Sequence, residues 1–446
     1  MEEPKGTYFY HALKVDHDIC VGCTHCLQAC PTEAIRIKKG KAVLYANKCV
    51  DCGECFRVCP VRAIYIKQDD FAELGKYKYR IALVPAVFIS QFAENVRTSQ
   101  VYACLKKLGF THIYEVEHGV GVLIELMNNY MRKNQDRKPF ISGYCPAVVR
   151  LIQVRFPSLV QNIIHLKAPL DVASITILER LTDAGISKDE IGIFYITPCA
   201  AKIAAVKSPV ENVSSSINGV INIDFLYNKV QQMLAKENTP AEPINHSLSG
   251  RDILWSTSGG EAQNFAGNSF AVDGIRNVIG FLERIENDEI ESDGIIEMRV
   301  CNQSCTGGVL NPNNRFVAVN KQKRRAESLD TQLDGRSCFL PVFSQDFNDR
   351  VKELMTIDEI KPRSILKLDD NLQKALKMVE SINKTKAILP GIDCGACGAP
   401  TCSALAEDIT RGNAEIEDCI FMSAECDKSA EILGRIWNYK NKNQNE

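Results

Sequence analysis

The sequence predicts an α/β protein whose central part is built on mostly parallel sheets, with a small cysteine-rich module before it and another, mainly helical, after it. Three observations lead there. Between about Tyr77 and Asp370, short apolar runs alternate with amphipathic stretches, the pattern of strands feeding helices in stacked layers. Ahead of that region a cysteine run occurs twice at a 29-residue period, and beyond it a third cysteine run opens a helical stretch. With 446 residues the chain exceeds one ordinary domain, and the natural partition is 1–76, 77–370 and 371–446.

In the first module, Cys20, Cys23, Cys26 and Cys30 form C-x2-C-x2-C-x3-C followed by Pro31, and Cys49, Cys52, Cys55 and Cys59 repeat it before Pro60. The flanks repeat too, with Pro31 to Ile35 matching Pro60 to Ile64. Zinc needs only four ligands in two pairs and leaves such a repeat unexplained. The bacterial two-cluster ferredoxin pattern explains it, because the fourth cysteine of each run ligates the other cluster. Cys20, Cys23, Cys26 and Cys59 are therefore expected to hold one [4Fe–4S] cube, and Cys49, Cys52, Cys55 and Cys30 the second. The implied α+β module is a two-centre electron relay.

In the central region Ile81–Val84, Ile191–Ile196 and Ile295–Val300 read as strands, and Val101–Leu108 and Ile175–Leu181 as helices. Lys236–Gly250 and Asn311–Glu327 read as polar loops, the Lys-Arg-Arg run of the second as a solvated basic stretch. Four cysteines fall in three separate segments: Cys145 in Ser-Gly-Tyr-Cys-Pro-Ala, Cys199 in Thr-Pro-Cys-Ala-Ala-Lys, and Cys301 and Cys305 as C-x3-C before Gly307-Gly308. Taken singly, each is more often a buried apolar thiol than a ligand; taken together, they could converge on one further cluster. Cys104 and Cys338 stand alone and read as core residues. No P-loop run is present.

At the far end, Cys394, Cys397 and Cys402 form C-x2-C-x4-C, and Cys419 follows after 16 residues. A helix is expected from Ser403, interrupted at Arg411-Gly412. The motif resembles the small Fe–S domain of Rnf-type electron-transfer subunits and corrinoid iron–sulfur proteins, which implies a third [4Fe–4S] cluster on these four cysteines, with Cys426 outside the spacing.

The three central segments resemble the active-site motifs of [FeFe]-hydrogenases, T-S-C-C-P, M-P-C-x-x-K-x-x-E and C-x-x-x-C-x-G-G. The similarity extends to Val84–Val87, Leu105–Phe110 and Ser258–Glu261, in the family's order from Tyr77 to Phe343. It implies a two-lobed α/β domain carrying an H-cluster, a [4Fe–4S] cube joined to a two-iron unit with CO, CN⁻ and an azadithiolate bridge. Cys145, Cys199, Cys301 and Cys305 match the cube ligands, with Cys305 the shared one. Lys202 matches the lysine that donates to a cyanide, and Pro198 and Ala147 match pocket-shaping positions.

Departures from the pattern matter as much. Tyr144 stands where the family's proton-relaying cysteine is typical, and a phenol, with reference pKa near ~10 against ~8.5 for a thiol, relays protons less well near neutral pH. Ala205 replaces the second motif's glutamate and Ala168 the serine before Pro169; Glu125 is the nearest proton-path candidate, and His118 a further one. His25 lies inside the first cluster motif. The resemblance is to the sensory branch of the family, so slow turnover of 2H⁺ + 2e⁻ ⇌ H₂ is expected, with hydrogen or redox sensing as the role. Because the sequence stops at Glu446, a signal would pass to a separate protein. Other implied partners are an electron carrier such as ferredoxin and the maturation proteins that load the two-iron unit. A formal charge of -2 gives no reason to expect nucleic acid or an anionic membrane, and the acidic N-terminus without signal-peptide core reads as cytoplasmic. The competing reading is a hydrogenase-like iron–sulfur scaffold or electron-transfer protein without the two-iron unit.

Overall fold

The structure is a computed structural model and describes residues 9–209, 215–236, 248–332, 350, 353–357, 359–363, 368 and 371–422. Cys338, Cys426 and most of the loop expected over Lys236–Gly250 lie outside the described residues. The chain divides into two compact units.

The larger unit contains Val50–Gly53, Ile66–Arg363 and the described residues before Lys14. Its first sheet has the order His112–Glu115, Tyr79–Val84, Ile191–Thr197, Gly219–Asn222, all parallel. Ile81 pairs with Ile193 and Leu83 with Tyr195. The Ile191–Thr197 strand is buried along its whole length, the signature of a sheet covered on both faces by crossover helices. Strand order reverses between Tyr79–Val84 and Ile191–Thr197, and such switch points open a crevice at the carboxyl ends of the strands. The second sheet, also parallel, runs Phe270–Asp273, Ile295–Arg299, Phe140–Ile141. The expected strands and helices are present; the helices run over Thr98–Lys107 and Pro169–Asp183. Cys104 is fully buried, as a core thiol.

One expectation fails. Asn311–Glu327 is no solvated loop, because Arg315–Gln332 is an α-helix. Its buried stripe is Ala318, Gln322, Ala326 and Leu329, a helical spacing carried mostly by small or polar side chains, which hydropathy does not register. The basic run is also not uniformly solvated. Arg325 reaches back to both oxygens of Glu115 at 2.7 Å, whereas Arg324 makes an exposed pair with Glu94. Burial opposes ionisation of Glu115, but Arg325 and Tyr102 outweigh it and hold the carboxyl below its usual range. Neighbouring Glu117 forms no ion pair among the described residues; burial and the charge of Glu115 push it up to about 8, while its Oε1 accepts the Ala86 N–H at 2.8 Å.

The smaller unit gathers the two ends of the chain, with Lys14–Cys49, Glu54–Tyr65 and the described residues beyond Ser364. Ile35–Lys38 and Lys41–Leu44 form an antiparallel hairpin. Short helices His25–Ala29 and Glu54–Val58 occupy equivalent places in the 29-residue repeat. Helices Leu372–Ile388 and Cys402–Thr410 form the C-terminal part, the second ending at Arg411 where the Gly412 interruption was expected. Arg36 and Asp408, both buried, join the halves of this unit. Among the described residues, no helix is long and apolar enough to cross a membrane.

Two outcomes are expected from this packing. Arg325→Ala leaves the buried Glu115 unpaired and should lower stability by about 3–5 kcal/mol, whereas Arg324→Ala at the exposed pair should stay within ~0.5 kcal/mol; chemical denaturation measures both. Glu117 binds a proton in the folded chain that it has lost in the unfolded chain between the ordinary carboxylate range and pH 8, so its contribution to stability falls as pH rises through that window. Glu117→Gln should therefore gain stability over the native chain progressively from pH 5 to pH 8, read as a growing difference in melting temperature.

Candidate functional site: three strand ends and a buried lysine

Each central cysteine follows a parallel strand of the larger unit. Phe140–Ile141 leads through Ser142, Gly143 and Tyr144 to Cys145, which caps the Pro146–Arg155 helix. Pro146 suits the first turn because it has no N–H to leave unpaired. Ile191–Thr197 leads through Pro198 to an extended Cys199, after which Ala200–Lys207 is helical. Ile295–Arg299 leads to Cys301, and the chain then turns through two consecutive left-handed residues, Gln303 (φ 65°) and Ser304 (φ 56°), to present Cys305. Such conformations cost about 1–3 kcal/mol each and collect at functional sites. Asp273 holds the turn by accepting the Gln303 N–H at 2.9 Å.

The second and third segments touch directly. Leu310 N–H donates to the Pro198 carbonyl at 3.1 Å. A Cβ on Gly308 would lie 2.7 Å from that same oxygen and 3.0 Å from the carbonyl of Cys305, so only glycine permits the approach. Cys199 has Cys305 and Cys145 as electrostatic neighbours: burial pushes its thiol up to about 12, Lys202 opposes, and the two thiols add to the rise. Cys301 is buried at the start of the same turn as Cys305. Pro198 and Ala147 are buried beside their cysteines.

Lys202, on the helix after Cys199, is 6% exposed. Its Nζ lies 3.8 Å from Cys305 Sγ and 3.3 Å from the Tyr144 hydroxyl, and 4.6 Å from the centre of the Tyr144 ring. Among the described residues no carboxylate pairs with it. Burial disfavours the ammonium, yet Cys305, Tyr144, Tyr195 and Cys199 outweigh burial and raise its pKa well above the usual lysine value. The Tyr144 hydroxyl also contacts Cys305 Sγ at 3.6 Å. Burial and the Cys305 sulfur raise the Tyr144 phenol well above its ordinary pKa, against Lys202 and Arg299.

Arg299, Glu261, Glu297 and Ser142 form a second layer that the sequence reading did not single out as site residues. The Arg299 guanidinium sits 4.1 Å from the centre of the Tyr144 ring, bonds Glu261 and lies 3.8 Å from Glu297. Ser142 donates to Glu261 at 2.7 Å and accepts the Tyr144 N–H at 3.2 Å. Glu297 accepts the N–H groups of Gly259, Glu261 and Ala262. The Ser-Gly-Gly-Glu run and the arginine two residues before Cys301 were the available signals. Glu125, the proton-path candidate, is exposed on the Val120–Lys133 helix. His118 is mostly buried against the Tyr114 ring at 4.7 Å, and burial lowers its pKa. Ala205 lies within the Lys202 helix, and Ala168 caps the Pro169–Asp183 helix.

In the smaller unit Cys20, Cys23, Cys26 and Cys59 line one hollow with Val21, Ile37 and Ala42. The fourth cysteine of the second run thus joins the first three of the first run. Burial, together with Cys20, Cys23 and Cys59, pushes the Cys26 thiol up to about 11. Ala42 N–H donates to Cys20 Sγ at 3.4 Å, and Ala34 and Ala63 donate to Cys30 and Cys59, both at 3.2 Å. The last two are equivalent across the repeat, and such N–H···S bonds are what set cluster potentials. Cys49 and Cys55 are buried, Cys30 and Cys52 half-buried. His25 Nδ1 donates to the Cys23 carbonyl at 3.2 Å. Cys394, Cys397, Cys402 and Cys419 line a hollow with Asp393, Gly395 and Leu405, and Asp393 accepts the Cys402 N–H at 2.6 Å.

Clustered thiols are the donor set of soft metals, which replace the protons. The residues at the central site fit a [4Fe–4S] cube, and Lys202, a buried cation whose partner is a cysteine sulfur, fits an anionic group there.

Residues 78–266 match the family model for the iron only hydrogenase large subunit, C-terminal domain. Residues 13–66 match a 4Fe-4S dicluster domain and 389–421 an Fe-S cluster family. Iron hydrogenase 1 of Clostridium pasteurianum is 25% identical over 237 residues, 47% of this chain and 41% of that protein. The periplasmic [Fe] hydrogenase large subunit of Nitratidesulfovibrio vulgaris is 32% identical over 179 residues, 36% of this chain and 42% of that one. A component of the Na(+)-translocating ferredoxin:NAD(+) oxidoreductase complex of Acetobacterium woodii is 48% identical over 50 residues, 11% of this chain and 15% of that one. An apo [FeFe]-hydrogenase structure from Chlamydomonas reinhardtii has a TM-score of 0.48 at 15% identity, covering 66% of this chain and 98% of that one. The chain spans about two fifths of the length of the hydrogenase relatives. These matches define an iron–sulfur protein with ferredoxin-type clusters. Residues 78–266 form an [FeFe]-hydrogenase-like domain.

Arg299→Met should leave Glu261, 1% exposed, with Ser142 alone and cost about 3–5 kcal/mol. Glu261→Gln, which keeps an acceptor for Ser142, should cost less in the same denaturation measurement.

Proposed function

We propose that the chain holds an H-cluster on Cys145, Cys199, Cys301 and Cys305, interconverts H₂ with protons slowly, and serves as a hydrogen or redox sensor. Three modules, 1–76, 77–370 and 371–446, divide the work in this reading. The ferredoxin clusters on Cys20, Cys23, Cys26 and Cys59 and on Cys49, Cys52, Cys55 and Cys30, with a third on Cys394, Cys397, Cys402 and Cys419, exchange electrons with a carrier of the ferredoxin class. Maturation proteins load the two-iron unit, and a separate protein receives the signal. The observation that carries the reading is the buried Lys202 ammonium directed at the Cys305 sulfur.

When bound, the two-iron unit supplies the open iron at which dihydrogen is split or formed. The chain's own residues do the rest. Lys202 offers charge-assisted donors to an anionic ligand beside Cys305, which packs on the apolar cluster of Trp255, Ile164 and Phe265; in such low-dielectric surroundings these bonds are strong. Tyr144 keeps its proton, because burial and the neighbouring sulfur both oppose the phenolate. A phenol so held gives up a proton reluctantly, which supports slow turnover. Arg299 on the ring face, pinned by Glu261, fixes the orientation of Tyr144.

A second reading has one observation in its favour. The Tyr144 hydroxyl occupies the position 3.6 Å from Cys305 Sγ, against the sulfur that would be shared with the two-iron unit. On that reading the site holds a cube alone and the protein is a scaffold or electron-transfer protein.

Infrared spectra of the matured protein under H₂ and argon separate the two: CO and CN⁻ bands are expected, and their absence after maturation favours the cube alone. Given the bands, Tyr144→Cys should raise dye-linked H₂ evolution by about 10²-fold. An unchanged rate would assign the proton to another group, and a native rate equal to that of fast hydrogenases would end the slow-relay argument.

A further inference from the structure

The C-terminal cysteine hollow and the hollow of Cys20, Cys23, Cys26 and Cys59 both belong to the smaller unit, and the loops that form them are in contact. Leu27, directly after Cys26, is 1% exposed. A Cβ on Gly395, between Cys394 and Cys397, would lie 3.3 Å from its Cδ2. Ile37 lines the first hollow, and its N–H donates to the Gly398 carbonyl at 2.9 Å. Gly398, at φ +82°, has no room for a side chain, since a Cβ there would be 2.2 Å from the Ile37 oxygen. Backbone therefore meets backbone at the wall between the hollows.

Side chains lock this contact from both sides. Arg36, the neighbour of Ile37, bonds Asp408 through Nε at 2.5 Å and Nη2 at 3.3 Å, and Asp408 lies on the helix that begins at Cys402. Arg36 also donates to the carbonyls of Glu33 and Ile35. Lys48, just before Cys49, pairs with Glu407 at 2.9 Å. A buried pair adds little net stability, but it penalises every arrangement that separates its members. Here the penalised arrangements are those that part the two cysteine loops.

We propose that the C-terminal cluster is the outer member of a relay and passes single electrons through the Leu27–Ile37 wall to the cluster on Cys20, Cys23, Cys26 and Cys59, with Arg36, Asp408 and Gly398 as positioning residues. The inference rests on the reading that both cysteine sets hold [4Fe–4S] clusters. Cys394 is exposed, whereas Cys20 and Cys26 are buried, which gives the order. One electron leaves the reduced C-terminal cluster, taking it from the 1+ to the 2+ state, and reduces the first cluster from 2+ to 1+. No bond or proton changes hands. A low-potential one-electron carrier restores the outer cluster.

The test uses the full chain with iron and sulfide reconstituted, reduced by a europium(II) chelate and followed by electron paramagnetic resonance. The native protein should show magnetic interaction between the two clusters, as broadening and faster relaxation of the first cluster's signal. Cys402→Ser should abolish that interaction and lower the iron content. Asp408→Asn and, more strongly, Gly398→Val should weaken it at unchanged iron content. Full iron content with a native spectrum that is the plain sum of isolated clusters overturns the relay. Equal iron content in the native chain and Cys402→Ser overturns the cluster reading itself, a separate failure. If Gly398→Val does not fold, Asp408→Asn alone decides: unchanged coupling removes the positioning role.

Discussion

A lysine ammonium buried with no carboxylate paired to it among the described residues is an expensive object, and the central site is arranged around one. Lys202 is withdrawn from water on a helix whose other buried residues are alanine, isoleucine and valine, and its polar contacts are the Tyr144 hydroxyl and the Cys305 sulfur. A neutral thiol compensates such a charge poorly, and a thiolate or a metal-bound sulfur does so well. Under the proposed reading, an iron–sulfur cluster on Cys305 would bring negative charge beside this ammonium. Arg299 is the contrasting case. Its charge is balanced within the protein by Glu261 and Glu297, so it serves to hold Tyr144 rather than to attract a ligand.

The constraint that makes this possible is where parallel strands end. Both sheets of the larger unit deliver their cysteine segments from carboxyl ends, Cys199 from one sheet and Cys145, Cys301 and Cys305 from the other. Loops there have free backbone N–H groups and freedom of sequence, while the strands behind them are rigid. The left-handed Gln303 and Ser304 show what that freedom is used for. The turn between Cys301 and Cys305 is bent against its preference, and Asp273 and Gly308 hold it bent.

Much of this was legible in the sequence because the informative residues are chemically unambiguous. Cysteine spacing grouped Cys59 with the first run, and these four cysteines line one hollow. Short apolar runs located the strands, even in Ile295–Arg299, where Glu297 and Arg299 are buried. What escaped was buried polar structure. The Arg315–Gln332 helix packs through Ala318, Gln322 and Ala326, and Gln322 is buried by donating to the Ile253 carbonyl and Ser256; no hydropathy pattern marks such a face. Ser142 and Glu261 lie 119 residues apart in the chain, so only the fold brings them together with Arg299. Glu125 lies on the outer face of the Val120–Lys133 helix, where helical periodicity places it.

Two of the buried ion pairs between residues far apart in the sequence, Arg150 with Asp51 and Arg36 with Asp408, share a logic that no count of stability contributions reveals. Each has one member beside a cysteine ligand run. Asp51 stands between Cys49 and Cys52 and also accepts from the Ala12 N–H and meets His11 Nδ1 at 2.7 Å; Asp408 follows Cys402 by six positions on one helix. Apolar residues of equal volume in these places would bury as well or better, but they would tolerate sliding by a fraction of a side chain. An electron passed between centres is far less tolerant, because its rate falls steeply with every added gap. Charged pairs with fixed geometry beside the cysteine loops are therefore what a chain needs when its function depends on distances between clusters rather than on the strength of the contacts that hold them.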